Sequence, residues 1–204
     1  WFLKFILNST TNKMMHTAKY MHQILDLALP AYDELFDEIN LDGLVENKGI
    51  LYIWNEKDLK SRELEIKVRN ELGVKQQLVN KDEIHDLEPH IKPIYHAGVY
   101  YPYARHARNP KKILLKLFDL FLKKGGKFNK VNVKDIKFDE EKPVIKTETQ
   151  SYIFDKAVIA CGAFSKILTD NLDEKIPLDT ERGYHVHFKN CDHLLNRPVI
   201  FSNR

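Results

Sequence analysis

The sequence predicts an α/β chain, of α+β type in two domains, in which mixed-sheet pieces flank a part organised like half of a nucleotide-binding domain. Three observations carry this reading. Ala157, Val158, Ile159 and Ala160 form an unbroken apolar run, the pattern of a strand buried on both faces of a parallel sheet. Cys161-Gly162-Ala163 ends that run with small side chains and Ser165 follows, so backbone can come close to a flat or phosphorylated group at the carboxyl end of the strand. Upstream, a helix, a strand and two short alternating segments arrive in the order such a half-domain requires.

Each element has its own local warrant. Ser9 or Thr10 can cap a helix whose apolar face is Met14, Ala18, Met21, Leu25 and Ala28. Pro30 restarts or kinks it, and Tyr32, Leu35, Phe36 and Ile39 mark a second helix ending near Asp42-Gly43. Residues 49–54 read as a short apolar strand. Asp58 is placed to cap a charged helix that stops at Gly73. Asn80 with Glu83 has the capping-box spacing before a short helix stopped by Pro89, and 97–101 is a strand ended by Pro102. Asn109 is a good N-cap with Pro110 at the first helical position; Ile113, Leu114, Leu117, Phe118 and Phe121 form one wide apolar face, and Gly125-Gly126 stops that helix. Strands are expected at 128–133, 144–148, 152–154 and 157–160. From Pro177 onward, 184–188 and 199–201 read as antiparallel-type strands.

Composition excludes some classes. With 43% hydrophobic and 30% charged residues in 204, the chain can build a sizeable core and is not of the disordered type. The net charge of +3 is spread out, which argues against nucleic acid as a partner, since phosphate binding needs clustered cations. Cys161 and Cys191 lie in different contexts and suggest no disulfide framework. No apolar run is long enough for a transmembrane helix. The chain opens at Trp1 rather than Met and carries no G-x-G-x-x-G.

The segment from Asp155 through Gly162-Ala163 to Ser165, followed by Ile176-Pro177-Leu178 and Arg182-Gly183-Tyr184, resembles the FAD-dependent amino-acid oxidoreductases of the D-amino-acid oxidase superfamily. Within that group it is most similar to the small subunits of bacterial D-amino-acid dehydrogenases. The opening Trp1-Phe2-Leu3-Lys4-Phe5, the stretch from Asp82 to Glu88-Pro89, and Gly98 to Pro102 leading to Asn109-Pro110 fit in the same order. The resemblance implies a partial FAD-binding, Rossmann-like domain over 104–172, with substrate-domain pieces at 1–103 and 173–204; since a member of this family should open with a strand and a G-x-G-x-x-G loop, it also implies that the sequence is an internal piece of a longer enzyme. It implies FAD as cofactor, with Val133, Cys161, Gly162 and Ala163 bordering it, and hydride transfer from the Cα of a small D-amino acid to the flavin. The product imino acid then hydrolyses to a keto acid and ammonia. No catalytic side chain is required, because the flavin carries the difficult step. A cytoplasmic protein, or one held peripherally at the inner membrane, is implied; the electron acceptor and the oligomeric state stay open.

Arg182, Gly183 and Tyr184 are the candidate substrate contacts, since a guanidinium or phenol can hold a carboxylate and glycine permits close approach. A structural ion pair for Arg182 serves equally well as a reading. His106 either faces the flavin or is a surface residue at a helix entry, the plainer role for a lone histidine. Cys161 is expected to be buried and of low reactivity. Two other classes compete with the enzyme: a non-catalytic α/β binding domain, and a metal-binding module using His185, His187, Cys191 and His193. The irregular spacing of that last set favours ordinary strand histidines over zinc ligands.

Overall fold

The computed structural model describes residues 2–55, 60–191 and 194–201. The chain separates into two compact units, one running to Gly125 and resuming at Lys189, the other Gly126–Phe188. The sequence instead places its boundaries at 103 and 172.

The first unit opens with α1 (Phe2–Asn8), α2 (Thr11–Leu25) and α3 (Ala28–Asp37). Thr10 holds the extended N-cap position of α2, and α3 starts just before Pro30, so the proline restarts a helix rather than kinking one. Next come β1 (Val45–Glu46) and β2 (Ile50–Trp54), then a 3-10 turn at Lys60–Arg62 leading into α4 (Glu63–Glu71). The cap expected at Asp58 lies outside the described residues. They are followed by β3 (Gln77–Asn80), α5 (Lys81–Leu87), β4 (Ala97–Tyr101), β5 (His106–Ala107) and α6 (Pro110–Lys123). The predicted capping box is present: the Asn80 side chain accepts from the Asp82 and Glu83 amides, and the Asn80 amide donates to Glu83 Oε2 at 2.8 Å. Asn109 caps α6 by accepting from the Lys112 amide at 3.0 Å, and the helix ends at Gly125 with φ +89°.

The second unit holds β6 (Val133–Asp139), β7 (Lys142–Thr147), β8 (Ser151–Ile153) and α7 (Ser165–Asp170); β9 (Val199–Phe201) returns to the first. The first unit's main sheet has the order β3-β4-β2-β9. Leu51 and Ile53 on one face pack with Val79 and with Ile84 of α5. On the other face the Arg62 guanidinium lies 5.2 Å from the Trp54 ring, and that of Arg69 lies 5.4 Å from Tyr101. Gly98 sits at the centre of this sheet. A Cβ there would lie 2.6 Å from the Tyr52 carbonyl oxygen and 2.9 Å from Val79 Cγ2. Gly98→Ala is therefore expected to destabilise the fold by about 1–2 kcal/mol, since strand backbone cannot yield as a flexible side chain can. Chemical denaturation measures this, and an unchanged midpoint would show that the sheet relaxes around the methyl group.

Four strand expectations need correction. Residues 157–160 form no strand and Val158 is 90% exposed. Residues 184–188 are likewise without regular structure, with Tyr184, Val186 and Phe188 exposed. The reason is the same for both: a strand needs a hydrogen-bonding neighbour, and none of the described strands pairs with either run. The strand expected at 128–133 begins at Val133 and runs on to Asp139, forming an antiparallel hairpin with β7. Finally, β9 pairs with β2 in parallel, Tyr52 opposite Ile200, rather than antiparallel. Its direction is set where it enters the sheet: Arg197 Nε donates to Glu88 Oε1 at 2.9 Å, the Asn196 amide to Glu88 Oε2 at 2.9 Å, and the Leu51 amide to the Pro198 carbonyl at 3.1 Å.

Candidate functional site

In the first unit, the antiparallel pairing of β1 with β5 sets Glu46 directly opposite His106. Glu46 Oε1 accepts from Arg108 Nη1 at 2.8 Å; its Oε2 lies 3.4 Å from Lys48 Nζ and 3.6 Å from His106 Nε2. Desolvation works to raise the Glu46 pKa, but the hydrogen bonds from Arg108 and Lys48 outweigh it and hold the carboxyl below its usual range. His106 is half-buried, and its Nδ1 is buried without a hydrogen-bond partner. The ring borders two cavities. One, of about 420 Å³, is apolar and lies among Tyr32, Phe36, Ile113 and Leu117 of α3 and α6. The other, of about 320 Å³, is polar and is walled by Glu46, Lys48, Arg108, Asn196 and Arg197. His106 is thus a strand residue with a carboxylate partner rather than a lone surface residue at a helix entry.

In the second unit, Val133 is the half-buried first residue of β6. Cys161, Gly162 and Ala163 form a tight turn into α7, closed by the Cys161 amide donating to Ser165 Oγ at 3.1 Å. Gly162 has φ +57°, and a Cβ built there would meet nothing within 4 Å. The turn therefore presents small residues and backbone to open space, which fits the close approach of a flat or phosphorylated group such as FAD. Cys161 is exposed, which corrects the expectation that burial shields its thiol. Arg182, Gly183 and Tyr184 are exposed on a segment without regular structure, so both side chains are open to a ligand. His185 and His187 stand with ring centroids 4.7 Å apart, and Cys191 is exposed. His193 lies outside the described residues. Among the described residues, no three His, Cys, Asp or Glu side chains gather as a metal site.

Sequence reasoning missed Glu46, Lys48, Arg108 and the Glu88–Arg197 pair. The one available signal was the alternation of His106 and Arg108, which puts both on one side of an extended segment. Their acidic partner is far away in sequence.

No helix among the described residues is long and apolar enough to cross a membrane. The chain is 31% identical over 192 residues to a D-amino-acid oxidase of Bradyrhizobium diazoefficiens, covering 93% of this chain and 46% of that protein. In fold it is similar to a glycine oxidase of Geobacillus kaustophilus, with TM-score 0.64 and 17% identity over 96% of this chain and 52% of the other. It is also similar in fold to an L-proline dehydrogenase of P. horikoshii, with TM-score 0.63 and 17% identity over 82% of this chain and 47% of the other. The chain thus spans about half the length of these relatives. Residues 9–203 match the DAO family, described as FAD dependent oxidoreductase. With that match running through both compact units and the open Gly162 turn within it, the chain belongs to the DAO family of FAD dependent oxidoreductases.

Proposed function

We propose that the protein is a flavoenzyme that oxidises a small amino acid, of D configuration, to the imino acid, which water converts to a keto acid and ammonia. The observation that carries this is the 31% identity to a D-amino-acid oxidase over 93% of the chain, inside a family match from 9 to 203. FAD, when bound, supplies the two-electron acceptor for the substrate Cα–H bond. The chain's own residues bind and orient. Val133, Cys161, Gly162 and Ala163 border the cofactor, with Gly162 leaving room for it. Arg182 and Tyr184 hold the substrate carboxylate, beside the backbone of Gly183. In this assignment 104–172 serves the cofactor, while 1–103 and 173–204 serve the substrate.

Anaerobic mixing of the flavin-loaded protein with D-alanine, L-alanine and glycine tests the reading. Bleaching of the flavin absorption by D-alanine in preference to L-alanine is the expected result. Equal bleaching by both enantiomers removes the D specificity, and no bleaching by any of the three removes the amino-acid reading. Repeating the mixing in the presence and absence of oxygen sorts an oxidase from a dehydrogenase.

The carboxylate contact has its own test. A charge-assisted hydrogen bond is worth about 1.5–3 kcal/mol, so Arg182→Ala or Tyr184→Phe should lower kcat/KM by roughly ten- to hundredfold. If the contact is the same in ground and transition states, the loss falls mainly on KM. Variants that discriminate an amino acid from its decarboxylated amine as well as wild type does would show that neither residue reads the carboxylate.

A further inference from the structure

In the antiparallel pairing of β2 with β4, Ile50 stands opposite Tyr101 and Tyr52 opposite Val99. Tyr52 and Tyr101 are therefore diagonal neighbours on one face of the sheet, the face away from the Leu51 and Ile53 core. Their rings meet edge to face, with centroids 5.5 Å apart. Both border a cavity of about 550 Å³ that lies wholly within the first unit. Leu25 of α2 and Leu29 of α3 line it too, as do Arg69 of α4 and Val74 just after that helix. The ionic places at these rings are already filled. The Arg69 guanidinium lies 5.4 Å from the Tyr101 centroid, where a ligand cation would sit. Arg69 in turn donates to Glu65, which stands where a ligand anion would. Half-buried His22, with exposed Asp26 and Lys75 of opposite sign, completes the ionic lining. The Tyr101 hydroxyl is different. Tyr101 is half-buried, and its hydroxyl has no hydrogen-bond partner among the described residues. Burial raises its pKa, so the group stays a protonated donor. A donor without an acceptor, beside aromatic walls in a cavity of ligand size, suits a planar ligand that brings the acceptor.

We propose that this cavity binds a neutral aromatic ring carrying a hydrogen-bond acceptor, the ring packing against Tyr52 and Tyr101 and the acceptor receiving a hydrogen bond from the Tyr101 hydroxyl. An aromatic ring gains edge or offset contacts with the tyrosines that a saturated ring of the same size does not make. This site goes beyond amino-acid oxidation and does not rest on it: none of these side chains borders the cofactor or holds the substrate carboxylate in that reading.

Ligand-observed NMR titration of the intact protein tests the site, with acetophenone as the probe. Cyclohexyl methyl ketone, ethylbenzene, benzylamine and benzoate serve as comparisons. Acetophenone should bind about threefold or more tightly than cyclohexyl methyl ketone, which keeps the acceptor and loses the aromatic ring. Tyr101→Phe should weaken acetophenone by about threefold or more and leave ethylbenzene, which has no acceptor, unchanged. Tyr52→Leu should reduce the preference for acetophenone over the saturated ketone. Should Tyr52→Leu fail to fold by circular dichroism, Tyr101→Phe decides alone, because it keeps the ring that packs in the sheet. Absence of acetophenone binding, or equal binding of the saturated ketone, overturns the proposal. So does an acetophenone affinity that Tyr101→Phe leaves unchanged, or lowers only as much as that of ethylbenzene. Tighter binding of benzylamine or of benzoate than of acetophenone overturns it as well, since the cavity then selects an ion.

Discussion

Glu88→Ala is expected to lower the free energy of unfolding by about 3–5 kcal/mol, the cost of leaving a buried cation without its partner. Glu88 is 0% exposed and sits against the 13%-exposed side chain of Arg197. Both of its oxygens are used: Oε1 accepts from Arg197 Nε and Oε2 from the Asn196 amide, each at 2.9 Å. Arg197 also donates to the Leu87 carbonyl, at 3.2 Å, so the segment that feeds β9 into the sheet is tied to the end of α5. Removing the carboxylate should therefore loosen β9 as well as lower global stability. Hydrogen exchange should show faster exchange in the parallel β2–β9 ladder than in the β2–β4 pairing. Chemical denaturation gives the global figure. The double variant Glu88→Ala with Arg197→Met should be more stable than Glu88→Ala alone, because it removes the orphaned charge too. A single variant within about 1 kcal/mol of wild type, the worth of an ordinary hydrogen bond, would mean that the pair does not hold the segment.

Gly162→Val is expected to strip the protein of its flavin. The Cβ of a residue at 162 would meet no protein atom within 4 Å, so the chain itself has room for a side chain there. If that room belongs to the cofactor, a branched side chain overpacks it by about 3 kcal/mol or more, which is more than a hundredfold in affinity. Valine at φ +57° also strains the backbone, by about 1–3 kcal/mol. Gly162→Asn separates the two effects, because asparagine tolerates the left-handed region while still filling the space. The measurement is the ratio of flavin to protein absorbance after gel filtration. Full flavin occupancy in Gly162→Asn would reduce the turn to a plain structural joint. Cys161→Ala, one residue earlier, should leave flavin content and turnover nearly unchanged, since the thiol is exposed and the turn is closed through the backbone of this residue.

Features that close over a few residues are legible in the sequence itself. The Asn80/Glu83 box and the Asn109-Pro110 start need only groups three positions apart, so residue type and spacing suffice to place them. The apolar strands β2 and β4 and the glycine stop at Gly125 are of the same kind. The β6–β7 hairpin was not legible, because its turn puts Glu140 at φ +54°, and glutamate carries none of the turn signal of glycine or asparagine.

The family resemblance, too, was in the order of short motifs, and the match from 9 to 203 bears it out. Burial was a different matter. The apolar run at 157–160 has the composition of a two-sided strand, yet Val158 stands 90% exposed, because periodicity shows what a segment can pack against and not whether a neighbour is there. The parallel direction of β9 was equally hidden, being decided by Arg197 meeting Glu88 at a separation of 109 residues. The Glu46, His106 and Arg108 cluster depends on two short strands pairing across 62 residues of chain. What the sequence by itself determined was thus the family, the caps and the local elements, each set by hydrogen bonds or side-chain spacing within a turn or two. Which charges meet, which apolar runs are covered, and where polar groups converge on a cavity were decided only by the tertiary path of the chain, since Coulomb and packing energies depend on distance in space and not on distance along the sequence.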